Sequence, residues 1–243
     1  MNDQKSRIEL WQRLLEPSSL ELLEETAGGD PREVSWIQGL RESWGGELAA
    51  AALELAGARR RAVKKFPDFP GLVADIAGVE QATGALTAHH KAERFARLAP
   101  ARIHDLCCGI GGDALALASV SPTRAVDIDP LRAWMCGENL RLAGLDASCR
   151  CEDVETLALE GEVVHLDPSR RETDRQGRGR GRRAWNYSDY RPGPGFIAEL
   201  LERNPDFAVK LGPGIDVGEL PSLDRMEVEF IQESGRLVQA VLW

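Results

Sequence analysis

Asp105-Leu106-Cys107-Cys108-Gly109-Ile110-Gly111-Gly112-Asp113 is the stretch on which the fold turns. Arg102–Leu106 reads as a strand and Asp113–Ser119 as a helix, so a loop with three glycines joins the two. Glycine lets the backbone approach a ligand closely, and the N–H groups that open a helix attract negative charge. Downstream, Ala125-Val126-Asp127-Ile128 is a second strand, and Asp129-Pro130 opens a helix that runs to Ala143 and stops at Gly144. Further strands are expected at 147–151, 163–166, 207–211, 226–232 and 237–242, with a helix at 195–203. Seven strands with intervening helices predict a doubly wound, Rossmann-like α/β sheet. Only Glu233-Ser234-Gly235-Arg236 separates the last two strands, so they should form an antiparallel hairpin at one edge.

Upstream, residues 1–66 read as a helical domain. Ile8, Trp11, Leu14 and Leu15 recur at helical spacing. Ser18-Ser19-Leu20-Glu21 reads as a capping box, and Asp30-Pro31-Arg32-Glu33 as another helix start. Residues 46–66 are alanine-rich and end in Arg59-Arg60-Arg61 and Lys64-Lys65, which suits a helix C-terminus. Phe66-Pro67-Asp68-Phe69-Pro70-Gly71 breaks the pattern and marks the boundary to the α/β domain at 72–243.

The chain has 243 residues and a net charge of −9, with 43% hydrophobic and 28% charged residues. That composition excludes collagen-like, wholly disordered and disulfide-scaffold classes. No apolar run is long enough to span a membrane, and the N-terminus shows no secretory pattern, so a cytoplasmic protein is expected. The five cysteines, Cys107, Cys108, Cys136, Cys149 and Cys151, are odd in number and lack four ligands at zinc-like spacing. They read as reduced, buried apolar side chains with no metal. The acidic total argues against nucleic acid. The basic residues are lopsided, however: 25 arginines against 5 lysines. Seven arginines between Arg170 and Arg183, opposed only by Glu172 and Asp174, make a +5 segment and leave −14 for the rest.

The glycine loop is followed by an acidic pair, Asp127 and Asp129, at the end of the next strand. A carboxylate there can hydrogen-bond both hydroxyls of a ribose. A dinucleotide fingerprint would read Gly-x-Gly-x-x-Gly. The loop has Gly109, Gly111 and Gly112, with Ala116 near the third position, so a dehydrogenase stays open, as does a loop with no ligand. Asp105 just before the loop suits a cationic amino-acid moiety better than a pyrophosphate.

Asp105–Asp113, Val126-Asp127-Ile128-Asp129-Pro130 and Asp167-Pro168-Ser169-Arg170-Arg171 together resemble a bacterial group of class I S-adenosylmethionine-dependent methyltransferases that often carries a THUMP-like domain. Gln81-Ala82-Thr83, His89, Lys210-Leu211-Gly212-Pro213-Gly214 and Val241-Leu242-Trp243 fit the same group. The first two motifs are similar to those of the trimethylguanosine synthase family, which methylates guanosine N2 in RNA caps. The resemblance covers residues 75–243 well, and the chain stops where the THUMP-like domain would begin. It implies S-adenosylmethionine as cofactor. Asp105, Cys107, Gly109 and Gly111 would line its methionine end. Asp127 and Ile128 would hold the ribose side, Asp153 the adenine amino group, and Thr83 would close over the cofactor. An ordinary helix cap is the competing reading of Asp153, and an ordinary helix start that of residues 81–83.

Val163-Val164-His165-Leu166 is a buried strand that delivers Asp167-Pro168-Ser169-Arg170 to the edge where open α/β sheets bind ligands. Many amino-methylating relatives have Asp/Asn-Pro-Pro-aromatic there; Ser169 and Arg170 replace the last two. Asp167, Pro168 and Arg170 are the candidate catalytic residues. Asp167 would accept an N–H and orient the nitrogen lone pair for an in-line attack. Trp185, Tyr187 and Tyr190 follow as candidates for packing or for base stacking. Carbon methylation needs a cysteine after the next strand, which 210–216 lacks. Lys210 would contact substrate or pair with Asp167, with a simple strand-end lysine as the competing reading. Arg171, Arg178, Arg180, Arg182 and Arg183 would bind phosphate by bidentate contacts. The resulting expectation is an RNA methyltransferase acting on a base nitrogen. The rivals are a small-molecule or protein methyltransferase and a silent RNA-binding module.

Overall fold

The computed structural model describes residues 2–170, 186–220 and 226–243. Strands β1 (Ile103–Leu106), β2 (Thr123–Asp127), β3 (Ala147–Cys151) and β4 (Val163–Leu166) run parallel. A two-residue ribbon, β5 (Ser169–Arg170) with β6 (Tyr190–Arg191), follows β4. β7 (Asp206–Leu211) pairs parallel with β4, while β8 (Val228–Glu233) and β9 (Arg236–Leu242) are antiparallel. The seven-stranded order is β3-β2-β1-β4-β7-β9-β8. Each main strand lies within two residues of its expected position, and the hairpin forms as read. Ser234 and Gly235 both have positive φ, +49° and +81°, the geometry that matches a tight turn to strand twist.

Helices α1 (Asn2–Leu14), α2 (Leu20–Gly28), α3 (Val34–Trp44) and α4 (Gly46–Ala62) form the N-terminal layer. α5 (Ile76–Gln81) and α6 (Ala85–Ala96) lead into the sheet. α7 (Gly112–Ala118), α8 (Pro130–Leu142) and α9 (Pro194–Arg203) connect its strands. No helix among the described residues is long and apolar enough to cross a membrane.

Two expected helix starts differ from what forms. Ser19 precedes α2, but it closes a short 3₁₀ turn and its hydroxyl donates back to the Arg13 carbonyl at 2.8 Å, so no capping box is made. Asp30-Pro31 does not open α3, which begins at Val34; the Asp30 carboxylate instead accepts from the Arg32 amide and guanidinium at 3.0 Å. Short polar side chains at such positions offer the backbone a turn in place of a helix.

The sheet is covered on both faces. Ala88, Ala92 and Phe95 of α6 and Ala116 and Leu117 of α7 pack with Ile103, Ala208 and Val241 on one. Ile197, Leu200 and Leu201 of α9 pack with Val164, Val209 and Leu242 on the other. The N-terminal helices share one apolar cluster with α8: Leu14, Leu22, Leu40 and Leu55 join Ile110, Leu131 and Met135. Asn139 of α8, fully buried, ties the layers together. Its side chain accepts from Val73 N–H at 2.8 Å and donates to the Val73 and Ile110 carbonyls at 3.0 and 2.9 Å.

Candidate functional site

The parallel strands all end at one edge, and their last residues build the site. β1 is buried throughout, so its C-terminal turn must leave the core within a few residues. It does so through left-handed backbone at Cys107 (φ +59°), Gly109 (+56°) and Gly111 (+91°). A methyl group added at Gly109 would meet nothing within 4 Å, so open space faces this glycine. At Gly111 it would lie 2.9 Å from the Cys136 sulfur, and at Gly112 2.8 Å from the Thr83 carbonyl. Gly109 thus faces open space, while its two partners are packed.

Asp127 ends β2 and braces this turn. Its Oδ2 accepts from Gly109 N–H at 2.8 Å and its Oδ1 from Asp129 N–H at 2.9 Å. Burial pushes its carboxyl above the usual range, and the two backbone bonds oppose that. Each oxygen keeps a second lone pair for a hydroxyl donor. Asp129 caps α8 by accepting from Leu131 and Arg132 amides. Ile128, between the two, is 67% exposed, a large apolar side chain open to solvent at the strand end. Asp153 follows β3 and caps a 3₁₀ turn, accepting from Glu155 N–H at 3.0 Å, which is the cap reading of that residue.

β1 and β4 pair with Asp105 directly opposite His165. Both are fully buried, and His165 Nδ1 donates to Asp105 Oδ1 at 2.7 Å. Lys91 of α6, 1% exposed, donates to His165 Nε2 at 3.0 Å and lies 2.6 Å from Asp113 Oδ1. An ammonium only donates, so Nε2 is the acceptor toward Lys91 and Nδ1 the donor toward Asp105. Thr83 donates to Asp113 Oδ2 at 2.6 Å. Burial pushes Asp113 upward, but the charges of Lys91 and Lys210 outweigh it and hold its carboxyl well below the usual value. Burial raises Asp105, against the His165 hydrogen bond. Asp105 Oδ2 is buried without a hydrogen-bond partner among the described residues.

Sequence reasoning missed Lys91 and His165. Their signal was present: Lys91 interrupts the apolar stripe Ala88, Ala92, Phe95 of α6, and His165 sits inside the apolar run of β4.

Asp167 leaves β4 half-buried, its N–H donating to the Leu106 carbonyl at 3.0 Å. Lys210 Nζ donates to Asp167 Oδ2 at 2.5 Å, so among the readings of Lys210 the structure forms the pair. Burial would lower the Lys210 ammonium, but Asp167 and Asp113 outweigh it and hold it above the usual lysine value. Pro168 is buried, and Ser169 and Arg170 enter the β5–β6 ribbon opposite Arg191 and Tyr190. Tyr187 and Tyr190 are buried in the core beneath it, and Tyr190 OH accepts from Gly212 N–H at 2.6 Å. They pack and are not available for stacking. Trp185 and the arginines 171, 178, 180, 182 and 183 lie outside the described residues, and so does the side chain of Arg170.

Three cysteines also converge. Cys108, Cys136 and Cys149 have sulfurs within 4.8 Å of one another. The S–H groups of Cys108 and Cys136 pull the Cys149 thiol down to about 4.

No protein-family model matches the chain. It is similar to two uncharacterized S-adenosylmethionine-dependent methyltransferases of Mycobacterium tuberculosis strains CDC 1551 and H37Rv, each 35% identical over 209 residues. The match covers 82% of this chain and 54% of each relative, so the chain spans about half the length of the curated relatives it matches. Among solved structures it is similar to a magnesium protoporphyrin IX methyltransferase from Synechocystis, with TM-score 0.48 and 10% identity over 75% of this chain and 88% of that one. A Thermus thermophilus 16S rRNA N2 G1207 methyltransferase gives TM-score 0.44 and 16% identity, over 70% of this chain and 43% of that one.

Proposed function

We propose that this chain is an S-adenosylmethionine-dependent methyltransferase that modifies a nitrogen of an RNA base. The carrying observation is the 35% identity to the two mycobacterial proteins, falling on a chain whose sheet edge has the right chemistry. The residues fit the cofactor. Open space faces Gly109, an orphaned acidic oxygen of Asp105 lies at the base of the turn, and Asp127 holds spare acceptor capacity. Asp105, Cys107, Gly109 and Gly111 would bound the methionine end. Asp127 and Ile128 would hold the ribose and one ring face, Asp153 the adenine amino group, and Thr83 the lid side. When bound, the cofactor supplies an electrophilic methyl group on a sulfonium.

The remaining chemistry belongs to the chain. Asp167 accepts an N–H of the substrate amine, turns its lone pair toward the methyl and offsets the positive charge that develops on nitrogen. Lys210 occupies Oδ2, which fixes the carboxylate and leaves Oδ1 for the substrate. Pro168, buried, sets the direction of the chain as it leaves β4. The β5–β6 ribbon pairs Arg170, three residues after Asp167, with Tyr190, and the sequence between these strands includes the arginine-rich segment 171–185. That supports a phosphate-binding role for its arginines on an otherwise acidic body.

Transfer of a labelled methyl group to total RNA from cells lacking the protein, with the product nucleoside identified, tests this reading. A methylated base nitrogen is expected. Label appearing only in protein or small molecules would overturn the RNA assignment. A thermal shift with NAD but not with S-adenosylhomocysteine would overturn the cofactor.

A further inference from the structure

Cys108 comes from the turn after β1, Cys136 from α8 and Cys149 from β3, so only the fold brings them together. Their three sulfurs lie within 4.8 Å of one another, and those of Cys108 and Cys149 are 3.6 Å apart. Cys108 and Cys136 are buried, and Cys149 is partly exposed, which leaves one way in. Around them are small apolar side chains, Ala114, Ala118, Ala125 and Leu140, which exclude water. Thiolates bound to one metal at about 2.3 Å stand about 3.8–4.0 Å from each other in tetrahedral or trigonal geometry. The observed sulfurs need to move by less than about 1 Å to reach that arrangement.

We infer that Cys108, Cys136 and Cys149 form a three-thiolate site for one thiophilic cation of the zinc or copper(I) class. Soft thiolate ligands select such ions over magnesium or calcium. Each ligating thiol gives up its proton as the sulfur–metal bond forms, so one cation enters and up to three protons leave. Cys107 and Cys151 stand outside the group. The site backs directly onto the glycine turn: Cys108 precedes Gly109, and the Cys136 sulfur packs against Gly111. Filling it would stiffen that turn from behind. The inference does not depend on the methyltransferase reading.

The test is a cadmium titration of the full chain, kept reduced with a phosphine. A thiolate-to-cadmium charge-transfer band that saturates at one equivalent is expected, with a rise in thermal midpoint. Cys151→Ser should retain both. Cys149→Ser and Cys108→Ser should weaken binding by about 100-fold while circular dichroism stays unchanged. In the unaltered chain, one equivalent of cadmium should shield three of the five thiols from alkylation, namely 108, 136 and 149. Competition with a copper(I) chelator and with a zinc chelator then tells which ion is held. Absence of the band in the folded, reduced protein, an undiminished band in a folded Cys149→Ser variant, or protection of a different set of thiols would overturn the site.

Discussion

Lys91 is a cation placed in the apolar stripe of a helix, and everything around it follows from that burial. An isolated buried ammonium is too costly to keep, so Asp113 must be ionised and His165 must offer a lone pair. Lys91→Met removes the cation and strands the Asp113 carboxylate, with an expected loss of about 3–5 kcal/mol in urea unfolding. The pH dependence has a definite sign. Asp113 is depressed in the folded state, so its stabilisation is complete above the ordinary aspartate value of about 3.9 and is lost as pH falls through the lower folded value. Asp105 is raised, so its ionisation opposes folding as pH rises from the ordinary value through the folded one. Asp113→Asn should therefore lower stability at neutral pH and flatten the acid limb of a stability–pH curve. At the strand edge, Asp167→Ala should cut methyl transfer by at least about 100-fold while S-adenosylhomocysteine affinity stays nearly unchanged by calorimetry. Asp105 and Asp167 were legible because acids at strand ends have few structural uses. Lys91 and His165 stood out only as polar interruptions of apolar runs, and their partners were not legible because they come from elements far apart in sequence.

Among the elements, the turn from β1 to α7 separates two uses of glycine. At Gly109 the backbone is left-handed but open space surrounds the α-carbon. Gly109→Ala should cost about 1–2 kcal/mol of backbone strain and weaken S-adenosylhomocysteine at least tenfold, because the new methyl enters the open space proposed for the cofactor. Gly111 is left-handed and packed against Cys136, so Gly111→Ala should cost more stability, seen as the larger fall in thermal midpoint. The strands and the hairpin were readable because apolar runs and the Ser234-Gly235 turn are local signals. The capping box at 18–21 and the helix start at 30–33 were misread because Ser19 and Asp30 direct their side chains to nearby backbone. The β5–β6 ribbon has only two residues per strand and carries no period at all.

Across the whole molecule, charge is divided between an acidic body and the segment 170–183. Replacing Arg178, Arg180, Arg182 and Arg183 by alanine should weaken RNA binding at low salt and reduce the salt slope by about 0.7–0.9 for each phosphate that is no longer neutralised. An unchanged slope would mean that these arginines touch no phosphate. The apolar cluster that joins the N-terminal helices to α8 has a calorimetric consequence. Leu14 and Met135 stand on opposite sides of the change in local pattern at residue 66, yet neither can be exposed without exposing the other's neighbours. Heating should therefore give a single endotherm whose van 't Hoff and calorimetric enthalpies agree, and protease should find no early cut that frees residues 1–66 intact.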